Sequence, residues 1–226
     1  MRSVVNSESV GKRLMAAYEA MNDHFGNLSW WPGETAFEIA LGAILTQNTN
    51  WKNVTRAIEN IRNAGILQSE LLYKADKDYV AELIRPAGFF NVKTTRLRAF
   101  LEYLHGNYGG DMDEMSKEET WKLRKSLLSV KGIGEETADS ILLYGCRKKV
   151  FVVDAYTRRI FTRHNIIDNK WTYHDIQRLC MDNLPSDSEI YNQYHALIVE
   201  TGKQYCRKKQ QCTGCPLARG ENNELL

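Results

Sequence analysis

The residue types able to do chemistry gather in three stretches of the 226-residue chain. The first is Leu127-Leu128-Ser129-Val130-Lys131-Gly132-Ile133-Gly134-Glu135-Glu136-Thr137-Ala138, where a helix ends, Gly132 and Gly134 flank one apolar residue, and a helix starts again at once. Glycine tolerates φ > 0 and close backbone approach, so the amides that open the second helix stay available to a phosphate. Tight helix–helix turns look the same without any ligand, so this pattern does not decide alone. The second stretch is Val152-Val153-Asp154. A carboxylate there suits an N-cap, and a cap does not exclude electrostatic or acid–base work. The third is Cys206-x5-Cys212-x2-Cys215-Pro216, which holds three of the five cysteines.

Cys146 and Cys180 stand apart from that cluster and read as small buried hydrophobes. An odd cysteine count argues against a disulfide framework. A C-x2-C pair would suit zinc, but no histidine follows to complete a tetrahedron. The histidines (His24, His105, His164, His174, His195) are scattered without ligand spacing and read as surface or core residues.

Charge is uneven along the chain. The formal balance is only +2, which excludes a uniformly basic protein. Yet Arg147, Lys148, Lys149, Arg158, Arg159 and Arg163 surround the single acid Asp154, and Lys203, Arg207, Lys208, Lys209 and Arg219 form a second basic group. One such run is usually a solvated face; two beside turn and cysteine features suit an anionic polymer equally well.

Helices must position these residues. Phe37, Ala40, Leu41, Ile44 and Leu45 share one face at helical spacing. So do Val54, Ile58 and Ile61; Leu97, Phe100, Leu101 and Leu104; Leu123, Leu127 and Val130; and Tyr191, Tyr194 and Ile198. The strand-like run Val150–Val153 is short and fits an extended link into a helix capped by Asp154. The expectation is an all-α protein of about ten helices, with 43% hydrophobic and 26% charged residues giving ordinary globular composition. The longest apolar run, Ile39–Leu45, is far short of a membrane span, and the start has no apolar signal region, so the cytosol is the expected compartment.

Taken jointly, Leu45-Thr46-Gln47, Gly88-Phe89-Phe90-Asn91-Val92-Lys93, the hairpin, Val153-Asp154 and the terminal cysteines resemble the helix-hairpin-helix DNA glycosylases of the endonuclease III superfamily. The resemblance runs from Trp30 to Pro216. Ser29-Trp30-Trp31-Pro32, Leu45-Thr46-Gln47-Asn48-Thr49 and Lys131-Gly132-Ile133-Gly134 followed by Glu136-Thr137-Ala138-Asp139 are similar to a bacterial subfamily of 3-methyladenine glycosylases. The resemblance implies a six-helix domain over 34–145, with the hairpin at about 117–145. A second domain would combine 1–33 with 146–226 and end in the cysteine loop 206–221, with the DNA cleft between the two.

It also implies base excision after base flipping. Asp154 would stabilise the oxocarbenium-like sugar and orient or deprotonate water. Gln47 would enter the gap left by the base and Phe89 would wedge into the opposite strand, while Lys131, Gly132, Gly134 and Arg158 would contact DNA. Core packing after the Pro86–Gly88 turn is the other reading of Phe89. The base pocket would be drawn from Trp30, Trp31, Pro32, Trp51 and Glu136, since a stacked aromatic face attracts a cationic alkylated purine; ordinary core is the other reading of the tryptophans.

Bifunctional members attack the sugar with a lysine of the second hairpin helix, forming a Schiff base. Glu136 stands at the matching position and cannot form an imine, so the expected enzyme is a monofunctional alkylpurine glycosylase. An endonuclease III-like glycosylase/AP lyase for oxidised pyrimidines and a non-catalytic helix-hairpin-helix DNA-binding module are the alternatives. The cysteine loop resembles the superfamily's [4Fe–4S] loop, with its first spacing one residue short and Glu221 where the fourth cysteine should be. Three thiolates could hold a cluster with Glu221 or solvent at the open iron; zinc or no metal are the other readings. The expected partner is double-stranded DNA with damaged bases, bound by a monomeric, nucleoid-associated protein.

Overall fold

Most helices of this chain begin with a side chain that accepts from its own first turn. Thr35 accepts from the Glu38 amide, Asn50 from Asn53, Asp76 from Asp78 and Tyr79, and Asp111 from Asp113 and Glu114. Glu119, Asp154, Thr172 and Asp187 do the same further on. Each such cap satisfies amides that have no intrahelical acceptor and is worth about 1 kcal/mol.

The computed structural model describes residues 7–28 and 33–218. Among them run α1 (Ser7–Phe25), α2 (Ala36–Leu45), α3 (Trp51–Asn63), α4 (Ser69–Lys74), α5 (Lys77–Leu83) and, after a 3₁₀ turn at Arg85–Ala87, α6 (Phe90–Tyr108). Then come α7 (Met112–Ser116), α8 (Thr120–Leu128) and α9 (Glu135–Ser140), which continues into a π-helical turn at Ile141–Gly145. The chain closes with α10 (Ala155–Arg163), α11 (Tyr173–Asn183) and α12 (Ser188–Gln204). The protein is all-α: the extended pairing among the described residues is an isolated bridge between Cys206 and Gln210. The helices beyond those legible as periodic patterns include α4, α5 and α7, five to seven residues long and too short to display a period.

The chain forms two compact units, Trp31–Lys148 and Met1–Trp30 with Lys149–Leu226. In the first, α2 buries Phe37, Ala40, Leu41, Ile44 and Leu45, and the facing stripes of α3, α6 and α8 are buried with it. In the second, Phe151 lies edge-on to Tyr191 and Tyr194, and the Tyr194 hydroxyl donates to the Leu14 carbonyl at 2.7 Å. Val150–Val153 is an extended, buried segment that enters α10 at Asp154. Closeness of α10 and α12 depends on Gly202, where a Cβ would sit 2.2 Å from the Tyr156 ring. Cys146 and Cys180 are buried, and burial pushes the Cys146 thiol up to about 12, so it stays protonated.

Candidate active site

Asp154 is the N-cap of α10, and its two oxygens have different surroundings. Oδ1 accepts the Thr157 amide at 2.7 Å and the Thr157 hydroxyl at 2.9 Å, and the Asp154 amide donates back to Thr157 Oγ1 at 3.5 Å, completing a capping box. Oδ2 faces His195 Nε2 of α12 at 3.6 Å. Burial alone would raise this carboxyl, but His195 and then the Thr157 donors outweigh it and hold Asp154 below the ordinary carboxylate value. A partly exposed carboxylate kept ionised is available to oppose positive charge.

The three arginines of α10 turn to other tasks. Arg158 donates to the Trp171 carbonyl at 2.5 Å and Arg159 to the Cys206 carbonyl at 2.6 Å. Arg163 reaches Cys206 Sγ at 3.1 Å and the carbonyls of Arg207 and Lys208. Much of the basic segment therefore pins the cysteine loop and its surroundings, a use of charge that a count along the sequence does not show.

In the Trp31–Lys148 unit, the hairpin joins α8 to α9. Gly132 has φ of +88°, a left-handed conformation, and a Cβ there would lie 2.3 Å from the Arg96 side chain. Gly134 is the N-cap of α9 and brings no side chain to its first amides. Lys131, Gly132, Gly134 and Glu136 are all exposed. Arg124 of α8 grips Asp139 of α9 through two bonds, Nε to Oδ1 at 2.7 Å and Nη2 to Oδ2 at 2.9 Å, with Asp139 fully buried. That brace was not apparent in the sequence, although a basic and an acidic residue on either side of the glycines is the local signal that could have suggested it.

Gln47 follows α2 and turns onto the hairpin. Its Nε2 donates to the Gly132 carbonyl at 3.1 Å and to Thr137 Oγ1 at 2.9 Å, while Arg96 donates to its Oε1. Phe89 adopts φ of +46° after Gly88 and is 71% exposed, so the core-packing reading is incorrect for it. The strained turn holds the ring out of the core. Between these two features lies Lys93, 1% exposed, whose Nζ donates at 2.7 Å to both the Leu45 and Ala87 carbonyls. Those carbonyls end α2 and the 3₁₀ turn, where the helix dipole favours a cation. Burial, and to a lesser degree Arg96, pushes Lys93 down to about 8.

Trp51 opens α3 half-buried and borders a cavity of about 380 Å³ with Glu34, Glu38, Ile58, Glu59 and Arg62. Glu136 is not part of that wall. Trp30, Trp31 and Pro32 lie outside the described residues, as does Glu221.

Cys206, Cys212 and Cys215 line one cavity of about 360 Å³ together with Arg163 and Thr201. The Thr201 hydroxyl is buried without a hydrogen-bond partner. Burial raises the Cys215 thiol, and the neighbouring Cys212 and Cys206 add to the shift. No three Cys, His, Asp or Glu side chains among the described residues converge as a single metal ion requires.

A helix-hairpin-helix braced by an ion pair, followed by a carboxylate at a helix start, is the arrangement that the resemblance to base-excision glycosylases leads one to expect, and comparison with known proteins identifies the family. Residues 41–186 match the family model described as HhH-GPD superfamily base excision DNA repair protein. The chain belongs to that superfamily, and is a DNA glycosylase of it. It is 49% identical over 212 residues to a Methanocaldococcus jannaschii protein provisionally named a DNA repair glycosylase, covering 93% of this chain and 96% of that one. The H. pylori 3-methyladenine DNA glycosylase bound to 1,N6-ethenoadenine is 29% identical with a TM-score of 0.73, over 87% of this chain and 98% of the other. An endonuclease III trapped covalently on DNA shares the fold at TM-score 0.78 and 16% identity, over 92% and 93% of the two chains.

Proposed function

We propose that the protein is a monofunctional glycosylase that hydrolyses the N-glycosidic bond of alkylated purines such as 3-methyladenine in double-stranded DNA after base flipping. The observation that carries this reading is Asp154, a half-buried carboxylate at a helix start whose pKa is held below the ordinary carboxylate value. Such a group opposes the positive charge that develops on the sugar as the base leaves, and accepts the proton of the water that then adds. An alkylated purine is already cationic, so it leaves without a strong acid, and one essential carboxylate suffices. Glu136, exposed in the first turn of α9, supports the monofunctional part because a carboxylate cannot form an imine. Similarity to a 3-methyladenine glycosylase over 98% of its chain supports the substrate class. Trp51, on the rim of its cavity, is the described aromatic side chain suited to stack on the base.

In this reading Gln47 and Phe89 probe the duplex, Lys131, Gly132 and Gly134 of the hairpin hold phosphates, and Arg158 of α10, tied to the Trp171 carbonyl through Nη1, meets a phosphate through its other N–H groups. The exposure of Phe89 and the open amides after Gly134 support those roles. The cofactor is a [4Fe–4S] cluster on Cys206, Cys212 and Cys215, whose chemistry when bound is to cross-link a basic loop. Arg163 and Arg159 hold the same loop in place through the Cys206 thiol and carbonyl. Purified protein should be brown with broad visible absorbance that fades on Cys212→Ala; a colourless, iron-free protein overturns the cofactor.

Oligonucleotides bearing single lesions test the function. Base release that yields strand breaks only after alkali is expected, with no borohydride-trapped adduct. Spontaneous nicking with efficient trapping would indicate the bifunctional alternative, and binding without release the non-catalytic one.

A further inference from the structure

The division of labour between the two oxygens of Asp154 has a consequence for His195. Oδ1 is committed to the amide and hydroxyl of Thr157, itself fully buried, so that oxygen builds the helix start. Oδ2 is the oxygen left for chemistry, and the described side chain that faces it is His195, 4% exposed on α12. Resting on the assignment of Asp154 as the catalytic carboxylate, we propose that His195 is a positioning residue that keeps Oδ2 ionised and aimed.

The surrounding charged and titratable groups leave this task to His195. On α10, Arg158, Arg159 and Arg163 are directed at the Trp171 carbonyl, the Cys206 carbonyl and the Cys206 thiol. The Tyr173 hydroxyl accepts the Val153 amide at 3.3 Å. From α12 itself Glu200 accepts from Gln204, and Lys203 is exposed. On α1, Tyr18 lies edge-on to Tyr194. A separation of 3.6 Å is longer than a hydrogen bond, yet such pairs in ligand-free sites tighten when substrate charge arrives. Through space, an imidazole donor beside a partly desolvated carboxylate already favours the charged form, and this opposes the upward push of burial on Asp154.

The test is His195→Leu with His195→Gln beside it. Selective ¹³C labelling of aspartate, with the Asp154 signal assigned by Asp154→Asn, follows the carboxyl titration in the free protein and needs no substrate. The wild-type midpoint should lie below the ordinary aspartate value and that of His195→Leu above it, with His195→Gln, which keeps a donor, between them. Single-turnover base release should show the same shift in its acid limb: at pH 5 His195→Leu should lose at least about tenfold more activity than at pH 8. An unchanged titration in both variants, or a loss equal at all pH values, overturns the proposal. If no lesion is released by wild type, the function fails while the titration still decides the role of His195. Should His195→Leu not fold, His195→Gln against wild type decides alone.

Discussion

Asp154 caps α10 and, in the proposed function, also supplies the catalytic carboxylate; substitution can part the two duties. Asparagine caps a helix about as well as aspartate, and alanine does not. Asp154→Asn should therefore unfold in urea within about 1 kcal/mol of wild type while losing base release, whereas Asp154→Ala should lose release and about 1 kcal/mol or more of stability. Thr157→Val removes the hydroxyl donor on Oδ1 but leaves the amide, and should cost about 1 kcal/mol while retaining measurable release. Equal stability of the asparagine and alanine variants would show that the capping box is not a cap in energetic terms. The aspartate was legible in the sequence because its signals are local: an apolar extended run, an acid, then a helix. His195 was not, since it lies 41 residues further on and only the packing of α12 brings it to Oδ2.

The hairpin and the helix that supports it show how elements are registered. Arg124→Met would leave the fully buried Asp139 without its two charged donors and should cost about 3–5 kcal/mol, measured by urea unfolding. Adding Asp139→Asn should recover part of that loss. Lys93 gives a pH test of the junction between the α2 terminus and the Phe89 turn. Its folded value is pushed down to about 8 by burial, against 10.5 for the ordinary group, so the unfolded chain binds more protons between those values. Stability relative to Lys93→Met should therefore rise as pH increases from about 8 to about 10.5; a flat difference would show that the ammonium is not buried as described. The Gly88-to-Lys93 motif was visible as a string of letters. Its physical content, a cation closing two helix ends, required the fold, because Leu45 and Lys93 are 48 residues apart.

Across the whole molecule, a net charge of +2 conceals how the charges are used. Arg158, Arg159 and Arg163 each direct at least one N–H to an internal carbonyl or thiol, whereas Lys208 and Lys209 are exposed. Replacing both lysines by alanine should weaken DNA binding alike for all sequences and lower the salt slope by about 0.9 for each phosphate that is no longer neutralised. An unchanged slope would place the phosphate grip elsewhere. The helical class, the amphipathic faces and the hairpin were readable because their periods and glycines are local signals. The Arg96–Gln47–Gly132 network and the arginine ties on the cysteine loop were not, because they join segments distant in sequence. The central claim, that this superfamily member hydrolyses alkylated purines through Asp154, is tested most directly by one measurement. A duplex oligonucleotide carrying a single alkylated adenine is incubated with wild type and with Asp154→Asn, and the free base is quantified before any alkali is added. The account predicts stoichiometric release of the alkylated base by wild type, an intact strand until alkali, and at least about a hundredfold slower release by Asp154→Asn. Release at the wild-type rate by Asp154→Asn, or no release by either protein, would contradict it.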